Sequence, residues 1–437
     1  MTPPSVVVVG GSIGGHSLVQ YLVSVLLADT RRQKLQLPMP RITVIEPRRG
    51  LINPIAIPRT LVDREFAPIT FAPPSAFSDA VLDNVDFVRG SAVFMDSGKV
   101  DVQLDDRPEK LCLPFDFSTI AVGRHRAPFV MPPQTTKAEY LTFVNNYADR
   151  FRLADRIVII GGGAVGIELA GELKYFYPNK TITLLHSRDR LPPEPSLDPG
   201  FSVQVLDALQ RLGVDTYLNT RVTSTAPADK SNFSIGKEIV TTLDGKEFHS
   251  DLTVWCTFRG NPATEFMDPK VYASTLDEFG VLKVNPDMTL VGSPHSFEHI
   301  YAIGDVNDFP VIKTAGGAVF QANIVAQNLA RQINIAQGLY ESCKEDIPDV
   351  TICETWGDAH MAVIIGQEMA VCQTRQIGLA TDLKDTAKIF GGDMSTSTMW
   401  KSMGINQSTE FKSLDNHAHN SQSEKRGDAD KLASNGK

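Results

Sequence analysis

The sequence predicts an α/β fold built around two parallel sheets, because two strand–glycine turn–helix–strand units can be recognised in it. The first unit comprises a strand at 6–9, a turn at 10–15, a helix pattern over 18–27 and a strand at 41–46. The second comprises a strand at 156–160, a turn at 161–166, a helix at 167–175 and a strand at 181–185. The opening run Val6–Val9 is continuously β-branched, which is typical of a strand buried on both faces of a parallel sheet.

The rest of the chain supplies further elements of the same class. The patterns predict strands at 117–123, 252–256 and 299–305, short alternating strands within 86–113, and a helix at about 315–333. A smaller third region with strand-like runs covers about 340–405. Residues 406–437 have balanced charges and only three large apolar side chains, so this tail is predicted to be disordered.

Composition excludes several classes of protein. A chain of 437 residues has room for about three domains. Its 42% hydrophobic and 21% charged residues are ordinary for a globular protein. The net charge of −9 disfavours nucleic-acid binding, which needs a concentrated basic face.

The cysteines and the N-terminus indicate the compartment. The five cysteines form no CxxC or CxxxxC pair, which argues against a zinc ribbon and a short-loop redox disulfide, and no metal site is predicted. No run approaches the ~20 apolar residues of a membrane-spanning helix. The first strand follows Met1–Ser5 directly and residue 2 is Thr, so neither a targeting peptide nor N-myristoylation is expected. We expect a cytoplasmic protein, with peripheral attachment to a membrane or mitochondrion left open.

Glycine-rich turns between a strand and a helix have a specific use. Glycine lets the backbone approach a pyrophosphate closely, and the helix N-terminus presents free N–H groups to it. The second turn, with Gly161, Gly163 and Gly166, matches GxGxxG fully, whereas the first has Ser12 at the middle position. The context favours two Rossmann-like dinucleotide-binding domains over purely structural turns.

The residues at the ends of the second strands differ. Glu46 suits an adenosine ribose with a free 2′-OH. The second unit has His186, Ser187 and Arg188 there and no carboxylate, which permits NADPH without excluding NADH. The alternative is that His186 and Arg188 are solvated surface residues. Glu168, just inside the second helix, either complements the helix dipole or faces the cleft between two cofactors.

These landmarks resemble those of the pyridine nucleotide-disulphide oxidoreductase superfamily. The stretch Tyr301–Asp305 is similar to the superfamily's second FAD motif. Within the superfamily, the chain most resembles the apoptosis-inducing-factor-like group of mitochondrion-associated flavoproteins. The resemblance covers about residues 5–405 and is carried by the stretches 161–174, 183–187, 313–323 and 397–403.

The resemblance implies a domain plan. An FAD domain would be split by an inserted NAD(P)H domain and followed by a small α+β C-terminal domain. The implied boundaries are 1–125 and 289–338 for the two parts of the FAD domain, 126–288 for the NAD(P)H domain, 339–405 for the C-terminal domain and 406–437 for the tail.

The resemblance also implies roles for individual residues. FAD would be held by Gly10, Gly11, Ser12, Ile13, Gly14, Gly15, Glu46, Arg59, Ala92 and Asp305. NAD(P)H would be held by Gly161, Gly163, Gly166 and His186. Glu168 would lie near the nicotinamide and flavin rings, and Lys401 near the flavin, as the catalytic residues.

The implied activity is transfer of hydride from NADH or NADPH to FAD and then of two electrons to a quinone-type or other small-molecule acceptor, without a redox disulfide. Neither nucleic acid nor a particular oligomeric state is predicted. Two alternatives stay open. One is an FAD-dependent oxidoreductase acting on a small molecule in a biosynthetic pathway, and the other is a redox-responsive cell-death effector with incidental turnover.

Overall fold

The structure is a computed structural model that describes residues 2–127, 129–133, 135–226, 233–257, 260–292, 297–353 and 360–406. The predicted disordered tail lies outside the described residues, apart from Asn406. The strands are β1 (Ser5–Val9), β2 (Arg41–Ile45), β3 (Leu51–Ile52), β4 (Phe71–Ala72), β5 (Val85–Val88), β6 (Gly90–Met95), β7 (Lys99–Leu104), β8 (Lys110–Pro114), β9 (Phe117–Ile120), β10 (Arg156–Ile160), β11 (Thr181–Leu185), β12 (Asp215–Tyr217), β13 (Val222–Ala226), β14 (Phe233–Thr242), β15 (Glu247–Trp255), β16 (Thr289–Leu290), β17 (Phe297–Ala302), β18 (Met361–Ile365), β19 (Met369–Thr374) and β20 (Gly378–Leu379). The helices are α1 (Ile13–Ala28), α2 (Thr30–Leu35), α3 (Ile57–Thr60), α4 (Asp79–Asn84), α5 (Lys137–Leu153), α6 (Ala164–Phe176), α7 (Pro199–Leu212), α8 (Ala315–Ala336), α9 (Leu339–Cys343), α10 (Leu383–Phe390) and α11 (Thr396–Ser402).

The first six-stranded sheet has the order β16-β17-β9-β1-β2-β5. Its central strand β1 is parallel to β2 and β9, with Val9 opposite both Ile45 and Ile120. This register brings the residues that follow each strand, Gly10, Glu46 and Ala121, to one edge of the sheet. The predicted first dinucleotide turn therefore lies at the carboxyl end of the parallel strands of this sheet, where ligands bind in such folds.

The second six-stranded sheet repeats the plan with the order β12-β11-β10-β15-β14-β13. Ile160 at the end of β10 lies opposite Leu185 and Trp255. Consequently Gly161 and His186 follow neighbouring strands at the same edge. The predicted α/β class is confirmed by these two sheets.

The two sheets are interleaved along the chain. The first sheet takes strands from β1–β9 and again from β16 and β17, whereas all strands of the second lie between them in sequence. This order is compatible with the split-domain plan. The individual domain boundaries stay predictions.

Some element limits differ from the prediction. Strand β17 ends at Ala302, so the expectation of a strand running to Asp305 is wrong. The reason is local: Gly304 has φ +80° and starts a 3₁₀ turn that contains Asp305. Helix α5 was not predicted, although Thr136 and Glu139 form the capping box that marks its start. Throughout the described ranges, no helix combines the length and the apolar character needed to cross a bilayer.

The C-terminal region packs on both preceding units. Gly171 of α6 lies so close to the β18–β19 turn that an added Cβ would be 2.6 Å from the Gly366 nitrogen. Helix α11 is anchored on the first unit by Trp400, which is 1% exposed and donates its indole N–H to the Ile69 carbonyl at 3.0 Å. The C-terminal segment is therefore an integral part of the core.

Replacement of the buried Trp400 by alanine tests this anchoring. We expect Trp400→Ala to cost about 3–5 kcal/mol, because it removes a large buried side chain and leaves a cavity. Leu153→Ala is the matched control, since Leu153 is 71% exposed and its truncation should change stability by less than about 0.5 kcal/mol. Urea unfolding followed by circular dichroism measures both. Equal midpoints for the two variants would contradict the anchoring role.

Candidate functional site

The first glycine turn is shaped by close backbone contacts. Gly10 has φ +100°, and an added Cβ would lie 2.7 Å from the Ala121 carbonyl oxygen. A Cβ on Gly15 would lie 1.9 Å from the Gly10 carbonyl oxygen. Helix α1 starts immediately after Ser12, whose side chain makes no capping hydrogen bond. The N–H groups of the first helical turn are thus available to an anion.

Glu46 closes one side of this turn. Its carboxylate accepts the Gly11 N–H at 2.9 Å, and it also accepts the N–H and a guanidinium hydrogen of Arg48 at 3.1 and 3.3 Å. Ser12, Glu46 and Arg48 line one cleft together with Gly50, Leu51, Ile52 and Met131. Of the other predicted residues here, Ile13 is buried and Gly14 faces Ile303.

The second turn has the same construction. Gly161 has φ +116°, and a Cβ on Gly166 would lie 1.9 Å from the Gly161 carbonyl oxygen. Gly163 precedes α6 without a capping side-chain bond, and a Cβ added there would meet no atom within 4 Å. This open space in front of a helix N-terminus is what a diphosphate needs.

His186 takes the place that Glu46 has in the first unit. Its Nδ1 accepts the Gly162 N–H at 3.1 Å, as the Glu46 carboxylate accepts that of Gly11. Burial lowers the pKa of His186, so the imidazole is neutral at pH 7. His186 therefore places no negative charge at the end of β11.

Asp305 is placed by the 3₁₀ turn after β17 and forms an ion pair with Arg126. Arg124 donates its Nε–H to the main-chain carbonyl of Asp305 at 2.9 Å. Two arginines from the segment after β9 thus hold the turn that carries this carboxylate. A carboxylate has about four acceptor sites, so an ion-paired Asp305 can still accept further hydrogen bonds.

Arg59 and Glu172 form a buried ion pair between α3 and α6. Their side chains are 2% and 0% exposed, and the shortest of three hydrogen bonds between them is 2.8 Å. Arg59 also donates to the Gly392 carbonyl at 2.8 Å. The pair therefore joins the first unit, the second unit and the C-terminal region. The guanidinium is hydrogen-bonded to Glu172 and Gly392. Contact of Arg59 with FAD stays a prediction.

Glu168 lies one helical turn before Glu172 and is buried against β18. It accepts the Ile364 N–H in a long contact of 3.5 Å. Burial, with the Glu172 carboxylate adding to it, raises the pKa of Glu168 to about 8. The side chain is thus a neutral carboxylic acid at pH 7, able to donate a proton.

The remaining predicted residues lie outside this buried cluster. Lys401 is on α11 with its side chain exposed. Ala92 is half-buried on β6, opposite Val102 of β7. Among the described residues, no contact assigns a function to either side chain, so their roles stay predictions.

The geometry of the first turn fits FAD. The uncapped α1 N-terminus suits a diphosphate, Glu46 is at the strand end where a ribose is bound, and Asp305 offers acceptors for ribityl hydroxyls. The second turn fits a second dinucleotide by the same argument. All five cysteines lie in the described part of the chain and are free thiols.

Three charged residues of these sites were missed by the sequence analysis. Arg48, Arg126 and Glu172 each pair with a predicted site residue. A signal existed for Glu172, because its spacing of four from Glu168 places both on one helix face. For Arg126, 179 positions from its partner, the sequence carried no signal.

Comparison with known proteins supports this interpretation. The family model described as pyridine nucleotide-disulphide oxidoreductase matches residues 4–322. Fe-regulated protein 8 of Mycosarcoma maydis is 28% identical, over 92% of this chain and 95% of its own. Ferroptosis suppressor protein 1 of Homo sapiens is 29% identical, over 75% of this chain and 80% of its own.

A solved structure shows the same fold. The sulfide:quinone oxidoreductase of Aquifex aeolicus superposes with a TM-score of 0.64 and covers 94% of both chains. At a sequence identity of 18%, this likeness shows the fold alone.

The Arg59–Glu172 pair gives a direct test of the buried cluster. We expect Arg59→Met to cost about 3–5 kcal/mol, because it leaves the Glu172 charge buried without its partner. The double variant Arg59→Met/Glu172→Met removes both charges and should recover much of this loss. Urea unfolding of the two variants measures the difference. A double variant no more stable than the single one contradicts the ion pair.

The raised pKa of Glu168 predicts a pH dependence. Between about pH 4.5 and about pH 8, the folded protein still holds a proton on Glu168 that the unfolded chain has already released. The resulting stabilisation is greatest below this window and is lost as the pH rises through it. Glu168→Gln should therefore flatten the decline of the thermal midpoint across the window. An unchanged slope in the variant would show that Glu168 titrates normally.

Proposed function

We propose a quinone-type acceptor for this chain, which belongs to the pyridine nucleotide-disulphide oxidoreductase family. It is an FAD-dependent oxidoreductase and uses NADH or NADPH as its substrate. The proposal concerns the second half of the reaction, in which two electrons leave the enzyme. The observation that carries it is that all five cysteines are free, with no CxxxxC pair to receive the electrons first.

A likeness in sequence supports a quinone as the acceptor. The chain resembles the apoptosis-inducing-factor-like group, and this resemblance implies transfer of electrons to quinones. A quinone takes up two electrons and two protons, so it needs no protein thiol as an intermediate carrier.

We assign FAD to the first turn. Gly10, Gly11, Ser12, Ile13, Gly14 and Gly15 would face its diphosphate, Glu46 its adenosine ribose, Ala92 its adenine side and Asp305 its ribityl hydroxyls. Bound FAD supplies hydride acceptance and electron transfer. The part of the protein is to hold and orient it, and the ion pairs of Glu46 and Asp305 fix both carboxylates for this purpose.

We assign NAD(P)H to the second turn, on Gly161, Gly163 and Gly166. The nicotinamide would lie near the start of α6, the helix that carries Glu168. As a neutral acid, Glu168 is suited to supply a proton to the reduced acceptor. Lys401 is assigned to the flavin side of the site.

We further propose a cytoplasmic enzyme that meets its quinone by peripheral contact with a membrane. Quinones partition into lipid, so the acceptor has to be taken from a membrane surface. We also propose the domain boundaries that the resemblance implies. These are 1–125 and 289–338 for the FAD domain, 126–288 for the NAD(P)H domain, 339–405 for the C-terminal domain and 406–437 for the tail.

Single-turnover measurements test the acceptor. Holoprotein reduced anaerobically with one equivalent of NADPH or NADH is mixed with a short-chain ubiquinone, and return of the visible flavin absorption is followed. We expect rapid return with quinone, and the same rate in Cys112→Ser, which removes an exposed thiol. Reduced protein that persists in quinone but reoxidises with another small molecule contradicts the proposal.

A further inference from the structure

Two buried amide side chains lie behind the turn that carries Asp305. The turn begins at Gly304, Asn307 follows its last residue, and Gln321 is on α8. Both amide side chains belong to buried residues. The Gln321 Oε1 accepts the Gly304 N–H at 2.7 Å and an Asn307 amide hydrogen at 3.0 Å. Side-chain hydrogen bonds thus join α8 to both ends of the turn.

Asn307 uses every hydrogen-bonding position of its side chain. Its Nδ2 donates to the Ala302 carbonyl at 2.9 Å as well as to Gln321. Its Oδ1 accepts the Phe309 N–H at 3.2 Å and a hydrogen of the Lys313 Nζ at 2.9 Å. A side-chain amide has two N–H donors and two acceptor lone pairs, so this one is fully satisfied. The strand before the turn and the segment after it are therefore tied to one side chain.

Lys313 completes this network from the segment in front of α8. Its side chain is half-buried, and Nζ also donates to the Phe309 carbonyl at 2.8 Å. Burial lowers the pKa of Lys313 to about 8, while the nearby carboxylates of Asp305 and Asp308 oppose this shift. A buried polar network in which every member is bonded is rigid and costly to disrupt. The turn that carries Asp305 is therefore held in one conformation.

The turn lies beside the start of α1. Ile303 precedes it, and a Cβ added to Gly14 of α1 would be 3.4 Å from the Ile303 Cδ1. A Cβ added to Gly304 would be 3.4 Å from the Ala318 Cβ on α8. The turn is thus packed between the first turns of two helices. A network that fixes the turn also fixes where Asp305 lies relative to the glycine turn to which FAD is assigned.

We propose that Asn307, Gln321 and Lys313 are positioning residues for FAD, which hold the turn so that the Asp305 carboxylate meets the ribityl chain. FAD and ADP share the adenosine diphosphate, which is assigned to the glycine turn and Glu46. Only FAD carries the ribityl chain and the flavin ring. The network should therefore determine the affinity for FAD and leave that for ADP unchanged. This inference rests on the proposed assignment of FAD to the first turn.

Titration calorimetry of the full-length chain, freed of FAD, measures both affinities. Gln321→Met keeps the size of the side chain but removes the acceptor for the Gly304 N–H. We expect the FAD affinity to fall at least about tenfold and the ADP affinity to change less than about twofold. Gln321→Glu keeps an acceptor oxygen and should restore much of the FAD affinity. Gln327→Met is the matched control, because Gln327 is exposed on the same helix.

Two results of this comparison would overturn the inference. One is an FAD affinity of Gln321→Met equal to that of Gln327→Met. The other is an equal loss of FAD and ADP affinity in a Gln321→Met protein with a native circular dichroism spectrum, since that would show a purely structural role.

A double variant shows whether the network acts through Asp305. Asp305→Ala should itself lower the FAD affinity, because it removes the acceptor for the ribityl hydroxyls. Adding Gln321→Met to Asp305→Ala should cause little further loss, since two changes that act through one contact are not additive. Losses that add in full would contradict a positioning role.

Lys313→Met decides the question if circular dichroism shows that Gln321→Met does not fold. Lys313 is half-buried, so its replacement is the milder change. It removes the donor to Asn307 and Phe309 and should lower the FAD affinity about threefold to tenfold, with an unchanged ADP affinity. An unchanged FAD affinity in Lys313→Met would then overturn the inference.

Failure of this inference is distinguishable from failure of the proposed function. If Asp305→Ala lowers the FAD affinity but the network variants do not, only the positioning role falls. If Asp305→Ala leaves the FAD affinity unchanged, the proposed assignment of FAD to this site falls, and the inference falls with it.

Discussion

Two glycines, Gly15 and Gly166, lie so close to a preceding carbonyl oxygen that an added Cβ would be 1.9 Å from it. This contact brings the start of a helix against the end of a strand, and it occurs identically in both units. The sheet register then places the residue after the neighbouring strand beside the turn, Glu46 in one unit and His186 in the other. The two candidate dinucleotide sites depend on this one steric constraint, since any larger residue would push the helix N-terminus away from the strand.

The charges of the candidate site are neutralised locally. Each carboxylate at the edge of the first site has an arginine partner, and so does the buried carboxylate on α6. The pairs are Arg48–Glu46, Arg126–Asp305 and Arg59–Glu172. Glu168 has no arginine partner among the described residues, and its burial keeps it neutral at pH 7. The buried cluster therefore avoids unpaired charge, which is energetically costly to bury.

Local patterns were sufficient to predict much of this arrangement. The strands, both glycine turns and Glu46 follow from spacing within one strand–helix–strand unit, and the sequence correctly predicted an α/β fold. Contacts between distant residues could not be predicted in this way. Arg59 meets Glu172 across 113 positions, and Trp400 meets Ile69 across 331. Such pairs are formed by the packing of whole units, for which periodicity and motif spacing carry no signal.

The central claim is that electrons leave the enzyme directly, with no thiol relay between FAD and the acceptor. Anaerobic titration of the purified holoprotein with dithionite tests it, with visible absorption and accessible thiols measured at each step. The account predicts complete loss of flavin absorption after two electrons per bound FAD and an unchanged number of thiols. Uptake of four electrons per FAD, with the appearance of two new thiols, would contradict it.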